Sequence, residues 1–380
     1  MKETMNRSIY LRILILFVLV AMPGCVDTAA ESPALSEEIG TTSSALGTQP
    51  HLLFGHCQTL SVPVTLTGYG PANVYAELCI PWRQTNTVEL LVHGSTYDHD
   101  YWDFPLKPWK YSHVRDALRE GYATLNIDRV GTGLSTIPPS TSVTVDGTVD
   151  YLHEIAQKLK AGQIGPRSFS KVVYFGSSLT VVYGWLLGQR YPADADGFVF
   201  EGLVHMTRPG FLGMVLAHHR DPACGVFPQA IDCGYVTTTP GWRDDFFYHV
   251  PGASPDVIAK DEETKSFVSD TLVFESAQYT FGPGGDPTQQ PDPATAPSQG
   301  IVKPVLIAFG AHDATACGTP PDGIVCTNTS VHALEAPYFT NAPSLDVYVP
   351  ANTGHALPLH ESGPVTAHVI DAWLDHRVGR

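Results

Sequence analysis

Positive charge is scarce in this sequence. The 380 residues include 22 lysines and arginines against 38 aspartates and glutamates, a formal net charge of −16, and no basic stripe follows any segment. A chain of this charge repels nucleic acid, so we exclude a nucleic-acid partner. Charged residues of both signs make up only 16% and form no long runs, whereas 43% of residues are hydrophobic. This composition excludes a disordered protein and allows a large core to be buried.

The N-terminal apolar run, Ile13 to Met22, is too short to be a convincing membrane span. Lys2, Arg7 and Arg12 flank it, and a positively charged start followed by a short hydrophobic stretch is typical of a secretory signal. We therefore predict a signal peptide over residues 1–24 and an exported protein.

The end of this signal leaves two alternatives. Met22-Pro23-Gly24-Cys25 resembles a bacterial lipoprotein signal, in which Cys25 is lipidated and holds the protein at the cell envelope. Pro23 departs from the usual small residue, so simple secretion stays open beside lipid anchoring. The Ser-, Thr-, Ala- and Glu-rich segment that follows predicts a flexible tether over residues 25–50.

The other six cysteines lack Cys-x-x-Cys or His-rich partner spacing, so a zinc site is disfavoured. An even number of cysteines in an exported chain favours disulfides. Short separations favour Cys224–Cys233 and Cys317–Cys326, which leaves Cys57–Cys79, although six cysteines allow many other pairings.

Short runs rich in Val, Leu, Ile and Phe alternate with helical patterns that end at Gly or Pro. Near-continuous apolar strands suit a sheet that is covered on both faces, and strand–helix alternation predicts an α/β fold with a mainly parallel sheet. The predicted strands are Val88–Val92, Ala123–Ile127, Val172–Phe175, Phe198–Phe200, Val305–Phe309 and Leu345–Val349. The predicted helices are His113–Arg119, Val149–Lys160, Val181–Arg190 and Val365–His376.

The alternation fails between residues 204 and 300, where many aromatic residues lie in helix-like surroundings before a Gly-, Pro- and Gln-rich linker. We interpret this segment as an inserted, mostly helical cap and linker between two parts of one core, residues 51–203 and 301–380. An ordinary set of packing helices is the alternative.

The strongest motif is Gly176-Ser177-Ser178-Leu179-Thr180, which joins a predicted strand to a predicted helix. A serine on such a sharp turn is exposed at the edge of a sheet, and small residues two positions away on either side let the turn close. Gly176 is small, but Thr180 stands where a second glycine is usual. Ser177 is a poor rival because Phe175 and Leu179 flank it, and a plain serine-rich turn is the alternative.

Four other segments place polar residues after predicted strands: His93-Gly94-Ser95, Asp128-Arg129-x-Gly131-x-Gly133-x-Ser135, Gly310-Ala311-His312-Asp313 and Gly354-His355. With the Ser178 motif, their order along the chain resembles that of the α/β-hydrolase superfamily over residues 85–203 and 300–378. The resemblance implies an α/β-hydrolase fold with the inserted cap.

The same resemblance implies the roles of site residues. Ser178 matches the nucleophile, Asp313 the acid and His355 the base, in the chain order expected of this fold. The backbone N–H groups of Leu179 and of Ser95, or a close neighbour of Ser95, match the oxyanion hole. The implied activity is hydrolysis of a carboxylic ester or similar acyl bond, without a metal or organic cofactor. The aromatic and aliphatic residues of the predicted cap favour a partly apolar small-molecule substrate. Amidase, lactonase and carbon–carbon bond hydrolase chemistry, and a non-catalytic binding protein, stay open.

Glu201 is the alternative acid, because some relatives place the acid after that strand. The adjacent His218 and His219 cannot share one helix face as metal ligands. Asp98, His99, Asp100 and Asp103 could suggest a metal site, but a solvated loop is favoured because nothing else fixes a coordination geometry. His93 is expected to be structural, and Asp128 and Arg129 are expected to brace the loop after their strand. His312 and His360 are expected to pack locally or to lie at the surface.

Overall fold

The computed structural model describes residues 53–282 and 289–380 and the backbone of residues 44–48. The predicted signal peptide, Cys25 and most of the predicted tether lie outside the described residues. Within the described part of the chain, no helix combines the length and the apolar character needed to cross a bilayer.

A nine-stranded sheet forms the centre of the molecule, in the order β1-β2-β3-β5-β4-β6-β7-β11-β12. The strands from β5 to β12 pair in parallel, and β1, β2 and β3 extend one edge in antiparallel pairing. The prediction of a mainly parallel sheet is confirmed. The strands are β1 Ser44–Thr48, β2 Gly55–Leu66, β3 Gly70–Pro81, β4 Thr87–Val92, β5 Ala123–Ile127, β6 Lys171–Ser177, β7 Gly197–Glu201, β11 Val305–Ala308 and β12 Leu345–Tyr348.

Helices cover both faces of this sheet. Alternate residues of its central strands point to opposite sides, so the apolar side chains on each side are buried under helices. Tyr174 of β6 packs in one core cluster with Leu152 and Val181, whereas Phe175 packs in another with Val114 and Leu374. A strand buried on both faces must be apolar throughout, which is the pattern that the sequence shows. The helices are α1 Pro108–Tyr111, α2 His113–Glu120, α3 Val145–Ala161, α4 Leu179–Arg190, α5 Phe211–His218, α6 Arg243–Phe247, α7 Pro255–Thr264, α8 Asp270–Ala277, α9 Asn328–Glu335 and α10 Gly363–Arg377.

All six predicted strands and all four predicted helices are present, and α3 begins earlier than predicted. The Thr144 side chain accepts a hydrogen bond from the Gly147 N–H and so caps a first turn that the apolar pattern does not mark.

The β2–β3 hairpin, in which twelve residues of each strand pair, was not predicted. Only one face of β2 is well buried, so its pattern is alternating rather than continuous. The prediction of a tether over 25–50 is wrong for Ser44–Thr48, which pairs with β2. The open edge of a sheet offers backbone hydrogen bonds to any extended segment, whatever its composition.

Residues 202–304 join the neighbouring strands β7 and β11 and contain α5 to α8. They also contain a small antiparallel sheet that was not predicted, formed by β8 Asp221–Pro222, β9 Tyr235–Thr237 and β10 Val268–Ser269. The buried Arg243 makes two 2.9 Å hydrogen bonds to Asp261 within this insertion and a 3.0 Å bond to the Thr96 hydroxyl beyond β4. Arg243 and its ion pair with Asp261 thus join the insertion to the loop after β4 through Thr96.

The six cysteines in the described residues form three disulfides, Cys57–Cys79, Cys224–Cys233 and Cys317–Cys326. This is the pairing that short separation predicts. Cys57 and Cys79 lie directly opposite each other in the β2–β3 ladder, whereas the other two bonds each close a loop with a sequence separation of 9.

Candidate active site

Ser178 lies on the sharp turn between β6 and α4, with φ 56° and ψ −121°. A positive φ in a residue with a Cβ costs on the order of 1–3 kcal/mol, so the surroundings must hold it. Its N–H donates to the Glu201 carbonyl oxygen at 2.7 Å, at the end of the adjacent strand. A Cβ on Gly176 would lie 2.8 Å from the Thr180 carbonyl oxygen, which explains the glycine at that position.

Thr180, the departure from the expected motif, is fully buried and completely hydrogen-bonded. Its hydroxyl donates to the Val92 carbonyl oxygen at 2.9 Å and accepts from the Ser177 N–H at 2.9 Å. The side chain therefore occupies the space beside β4 that a glycine would leave empty, and it ties the turn to that strand.

Asp313 and His355 follow β11 and β12, which are neighbours in the sheet. His355 Nδ1 lies 2.9 and 3.1 Å from the two carboxylate oxygens of Asp313. The buried carboxylate also accepts from the Thr315 N–H and hydroxyl at 2.9 and 2.7 Å, so its orientation is fixed. His355 Nε2 is buried and has no hydrogen-bond partner among the described residues.

The His355 ring lies beside the chain that holds Ser178. A Cβ built on Gly202, the residue after Glu201, would lie 3.0 Å from His355 Cε1. Phe246 and Phe247 of the insertion cover the ring, with centroids 5.1 and 5.6 Å away. The structure thus joins Asp313 to His355 and places the His355 ring against Gly202, whose neighbour Glu201 accepts the Ser178 N–H.

Glu201, the alternative acid, does not contact His355 through its carboxylate. The Tyr101 hydroxyl is 3.4 Å from that carboxylate and accepts from the Ser177 hydroxyl at 3.1 Å. Burial raises the pKa of Glu201 to about 7. The Ser177 hydroxyl is therefore engaged in this chain of hydrogen bonds.

Ser95, the other predicted oxyanion residue, follows Gly94 in the loop after β4. A Cβ on Gly94 would lie 3.1 Å from the Ser178 Cβ, so this loop passes directly against the turn. A side chain at this point would therefore crowd the turn that carries Ser178. Ser95 and Leu179 both line a cavity that Ser178 also lines.

Hydrogen bonds brace the loop that carries Ser95. His93 Nδ1 donates to the Gly94 carbonyl oxygen at 3.0 Å, and Nε2 accepts from the Arg129 N–H at 3.2 Å. The Arg129 guanidinium donates to the same carbonyl oxygen at 3.1 Å. Burial and the charge of Arg129 hold the pKa of His93 well below its usual value, so the ring stays neutral and supports the loop, as predicted.

Asp98, His99 and Asp128 each bring one possible metal ligand within 4.8 Å of the others. However, His99 Nδ1 bonds to Asp128 at 2.8 Å, and the second oxygen of Asp128 accepts from the Leu134 N–H at 2.8 Å. Burial lowers the pKa of His99, but the hydrogen bond and charge of Asp128 outweigh it and raise that pKa to about 10. An imidazolium paired with a carboxylate accounts for this cluster.

The cavity above Ser178 has a volume of about 740 Å³, counting the part open to solvent. Most of its wall comes from the insertion, and apolar side chains dominate it. They include Phe211, Leu216, Phe246, Phe274 and Phe281.

Two histidines near the site have roles that the sequence did not reveal. His219 lines the cavity, and its Nε2 lies 2.9 Å from the Ser95 hydroxyl. His360 holds the loop around His355: its Nδ1 donates to the Ala356 carbonyl oxygen at 2.7 Å, and its Nε2 accepts from the Gly354 N–H at 2.9 Å. No local sequence pattern around His219 or His360 indicates which groups the ring nitrogens contact.

Comparison with known proteins agrees with this architecture. The model of the alpha/beta hydrolase family matches residues 90–368. No curated protein sequence matches the chain significantly.

Similar solved structures include a thermophilic esterase from Thermogutta terrifontis, 18% identical, which aligns over 83% of this chain and 98% of its own with a TM-score of 0.52. A lipase in its open form is 14% identical, over 85% of this chain and 100% of its own, with a TM-score of 0.53. A bacterial membrane phospholipase A is 16% identical, over 85% and 87% of the two chains, with a TM-score of 0.52. At these identities the likeness shows the α/β-hydrolase fold, and the match over residues 90–368 shows that the chain belongs to the alpha/beta hydrolase family.

Proposed function

We propose that this protein is a serine hydrolase that cleaves a carboxylic ester or a chemically similar acyl bond, with Ser178 as nucleophile, His355 as base and Asp313 as the acid that orients the base. One observation carries the proposal. Ser178 has the strained backbone expected of a nucleophile on a strand-to-helix turn, and Gly202, next to the residue that accepts its N–H, lies against a histidine that Asp313 holds through Nδ1 and whose Nε2 has no partner among the described residues.

The chemistry follows from these groups. A serine hydroxyl is a weak nucleophile at neutral pH, so His355 Nε2 takes its proton as Ser178 Oγ bonds to the acyl carbon. Asp313 fixes the tautomer and stabilises the imidazolium that forms. The backbone N–H groups of Leu179 and Ser95 stabilise the oxyanion by roughly 3 kcal/mol per donor.

Collapse of the tetrahedral intermediate breaks the bond to the leaving group, which receives the proton from His355. Water then attacks the acyl-enzyme as His355 takes its proton; the bond to Ser178 Oγ breaks, His355 returns the proton to that oxygen, and the acid product leaves. The sequence of steps needs no redox change and no further co-reactant.

The cavity supports a partly apolar substrate, because pockets bind a ligand mainly through the apolar groups that line them. Phe211, Phe246 and Phe274 line the same cavity as Ser178, so a substrate bound there would meet aromatic surface. We assign residues 204–300 to a cap that shapes this space. The names of similar structures, an esterase, a lipase and a phospholipase A, support ester substrates.

Export is also part of the proposal. Three disulfides are consistent with an oxidising compartment. We propose that the signal peptide over 1–24 directs the chain out of the cytoplasm and that Cys25 is the site of lipid attachment. Intact mass of the exported protein tests this, because a lipid-modified Cys25 and an unmodified N-terminus differ in mass.

Covalent labelling with a fluorophosphonate probe tests the nucleophile. We expect labelling of the wild type and of Ser177→Ala, and none of Ser178→Ala. Ser177→Ala is the matched control because it removes the adjacent hydroxyl, which bonds to Tyr101. Labelling that persists in Ser178→Ala, or a folded wild type that neither labels nor hydrolyses short and medium-chain p-nitrophenyl esters, would overturn the proposal.

A further inference from the structure

Ser95 and His219 form a hydrogen-bonded pair in the wall of the cavity that contains Ser178. The Ser95 hydroxyl and His219 Nε2 are 2.9 Å apart, and both side chains are buried. Ser95 belongs to the loop after β4, and His219 follows α5 in the insertion. The contact therefore joins the two parts of the structure that enclose the cavity.

The His219 ring is held in place by its neighbours. The rings of Trp242, Phe246 and Phe247 surround it, with centroids 6.1, 5.9 and 5.8 Å away. Burial, followed by the charges of Arg243 and His355, lowers the pKa of His219 to about 3, so the ring is neutral at any pH at which the protein would work.

A neutral imidazole carries one N–H, and the surroundings decide where that proton lies. His219 Nδ1 is buried and has no hydrogen-bond partner among the described residues. If the proton were on Nδ1, a buried donor would be unpaired, which is rare in folded proteins. A proton on Nε2 instead donates to Ser95 Oγ and leaves only an acceptor unpaired at Nδ1.

In that arrangement the Ser95 hydroxyl accepts from His219, so its own proton is free to point into the cavity. The loop that carries Ser95 passes directly against Ser178, as the close approach of Gly94 to the Ser178 Cβ shows. A hydroxyl in this position can donate to a negative oxygen that forms on a carbonyl attached to Ser178.

We propose that the Ser95 hydroxyl is a third donor to the tetrahedral oxyanion, beyond the backbone N–H groups, and that His219 is the positioning residue that orients it. The inference rests on the proposed serine-hydrolase function. The Ser95 side chain then acts in catalysis, and His219 sets the geometry of the oxyanion hole. Neither role is apparent from the residue type alone.

Steady-state kinetics with a p-nitrophenyl ester test this proposal. We expect Ser95→Ala to lower kcat about 10- to 100-fold with little change in KM, because the donor acts on a charge that exists only in the transition state. A trifluoromethyl ketone, which forms a tetrahedral oxyanion with the nucleophile, should lose affinity by a similar factor. A purely structural role of Ser95 would not separate the inhibitor from the substrate in this way.

His219→Phe should reproduce the loss of Ser95→Ala, because the ring shape stays and the hydrogen bond is lost. His219→Gln, which can still donate, should recover part of kcat. His218→Phe is the matched control: His218 lies one residue earlier, stacks on Trp242 and is not among the residues that line the cavity. We expect it to have wild-type kinetics.

The double variant with Ser95→Ala and His219→Phe separates the roles. If His219 acts through Ser95, the double variant is no slower than Ser95→Ala. Additive losses, or a folded Ser95→Ala enzyme with wild-type kcat and inhibitor affinity, would overturn the inference while Ser178-dependent labelling stayed intact. Loss of labelling specificity for Ser178 would instead remove the proposed function itself, so the two failures are distinguishable.

Discussion

The Thr180 hydroxyl donates a 2.9 Å hydrogen bond to the carbonyl oxygen of Val92, at the end of the strand beside β6. The Thr180 hydroxyl oxygen in turn accepts a hydrogen bond from the Ser177 N–H, one residue before the proposed nucleophile. A threonine thus closes the turn at a position where a glycine is usual. The departure from the motif is compensated by hydrogen bonds that a glycine could not form.

Removal of the Thr180 hydroxyl should destabilise the protein. Thr180→Val keeps the shape of the side chain but leaves the buried Ser177 N–H without this acceptor, and we expect a loss of about 1–3 kcal/mol in the free energy of unfolding. Thr180→Ser keeps the hydroxyl and should lose less. Urea denaturation of the three proteins measures this, and equal stability of Thr180→Val and wild type would contradict it.

Asp313 should be far more important for turnover than Glu201. Asp313→Asn preserves the size of the side chain but disturbs the tautomer of His355, so kcat should fall by about three to four orders of magnitude. Glu201→Gln should leave kcat close to wild type, because its carboxylate bonds to Tyr101. Steady-state kinetics of the two variants show which residue is the acid. A larger loss of kcat in Glu201→Gln than in Asp313→Asn would identify Glu201 as the acid.

Acid should destabilise the loop that carries His355. Burial lowers the pKa of His360 to about 4 from its usual 6.5, so between these values the folded state binds fewer protons than the unfolded state. The corresponding stability is present above pH 6.5 and is lost as the pH falls through about 4.

Urea unfolding at pH 7, 5.5 and 4 tests this dependence on His360. Its neutral Nε2 accepts from the N–H groups of Gly354 and His249, and protonation places a donor there instead. We expect His360→Phe to be less stable than wild type at pH 7 by about 1–3 kcal/mol and to change less on acidification. An identical pH dependence in the two proteins would show that another group is responsible.

Two of the disulfides should differ in their effect on catalysis. The Cys317 N–H donates to the Asp313 carbonyl oxygen at 2.9 Å, so replacement of Cys317 and Cys326 by serine should lower both stability and kcat. Replacement of Cys57 and Cys79 by serine should lower only stability, because that bond lies within the β2–β3 ladder. Either loss of stability should be about 2–4 kcal/mol.

Guanidinium denaturation and ester hydrolysis separate the two disulfide effects, after mass mapping under nonreducing conditions has established the three bonds. An equal loss of kcat in both double variants would show that the Cys317–Cys326 bond has no particular connection to Asp313.

Patterns that are local in the sequence were sufficient to predict much of the fold. Continuous apolar runs marked β4, β5, β6, β7, β11 and β12, because a strand that is buried on both faces has no room for polar side chains. The Gly176 to Thr180 motif marked the turn, because a tight strand-to-helix connection restricts residue size at fixed offsets. The β2 strand escaped detection because only one of its faces is well buried.

The order of the strands in space determined which of the predicted site residues contact each other. Asp313 follows β11 and Glu201 ends β7 at the same edge of the sheet, and the sequence could not exclude either as the acid. The structure places Asp313 against His355 Nδ1 because β11 and β12 are neighbours. Likewise, Ser95 and His219 are 124 residues apart in the chain. Local patterns determine which elements form, but contacts between distant residues depend on how those elements pack, and only the tertiary structure determines that.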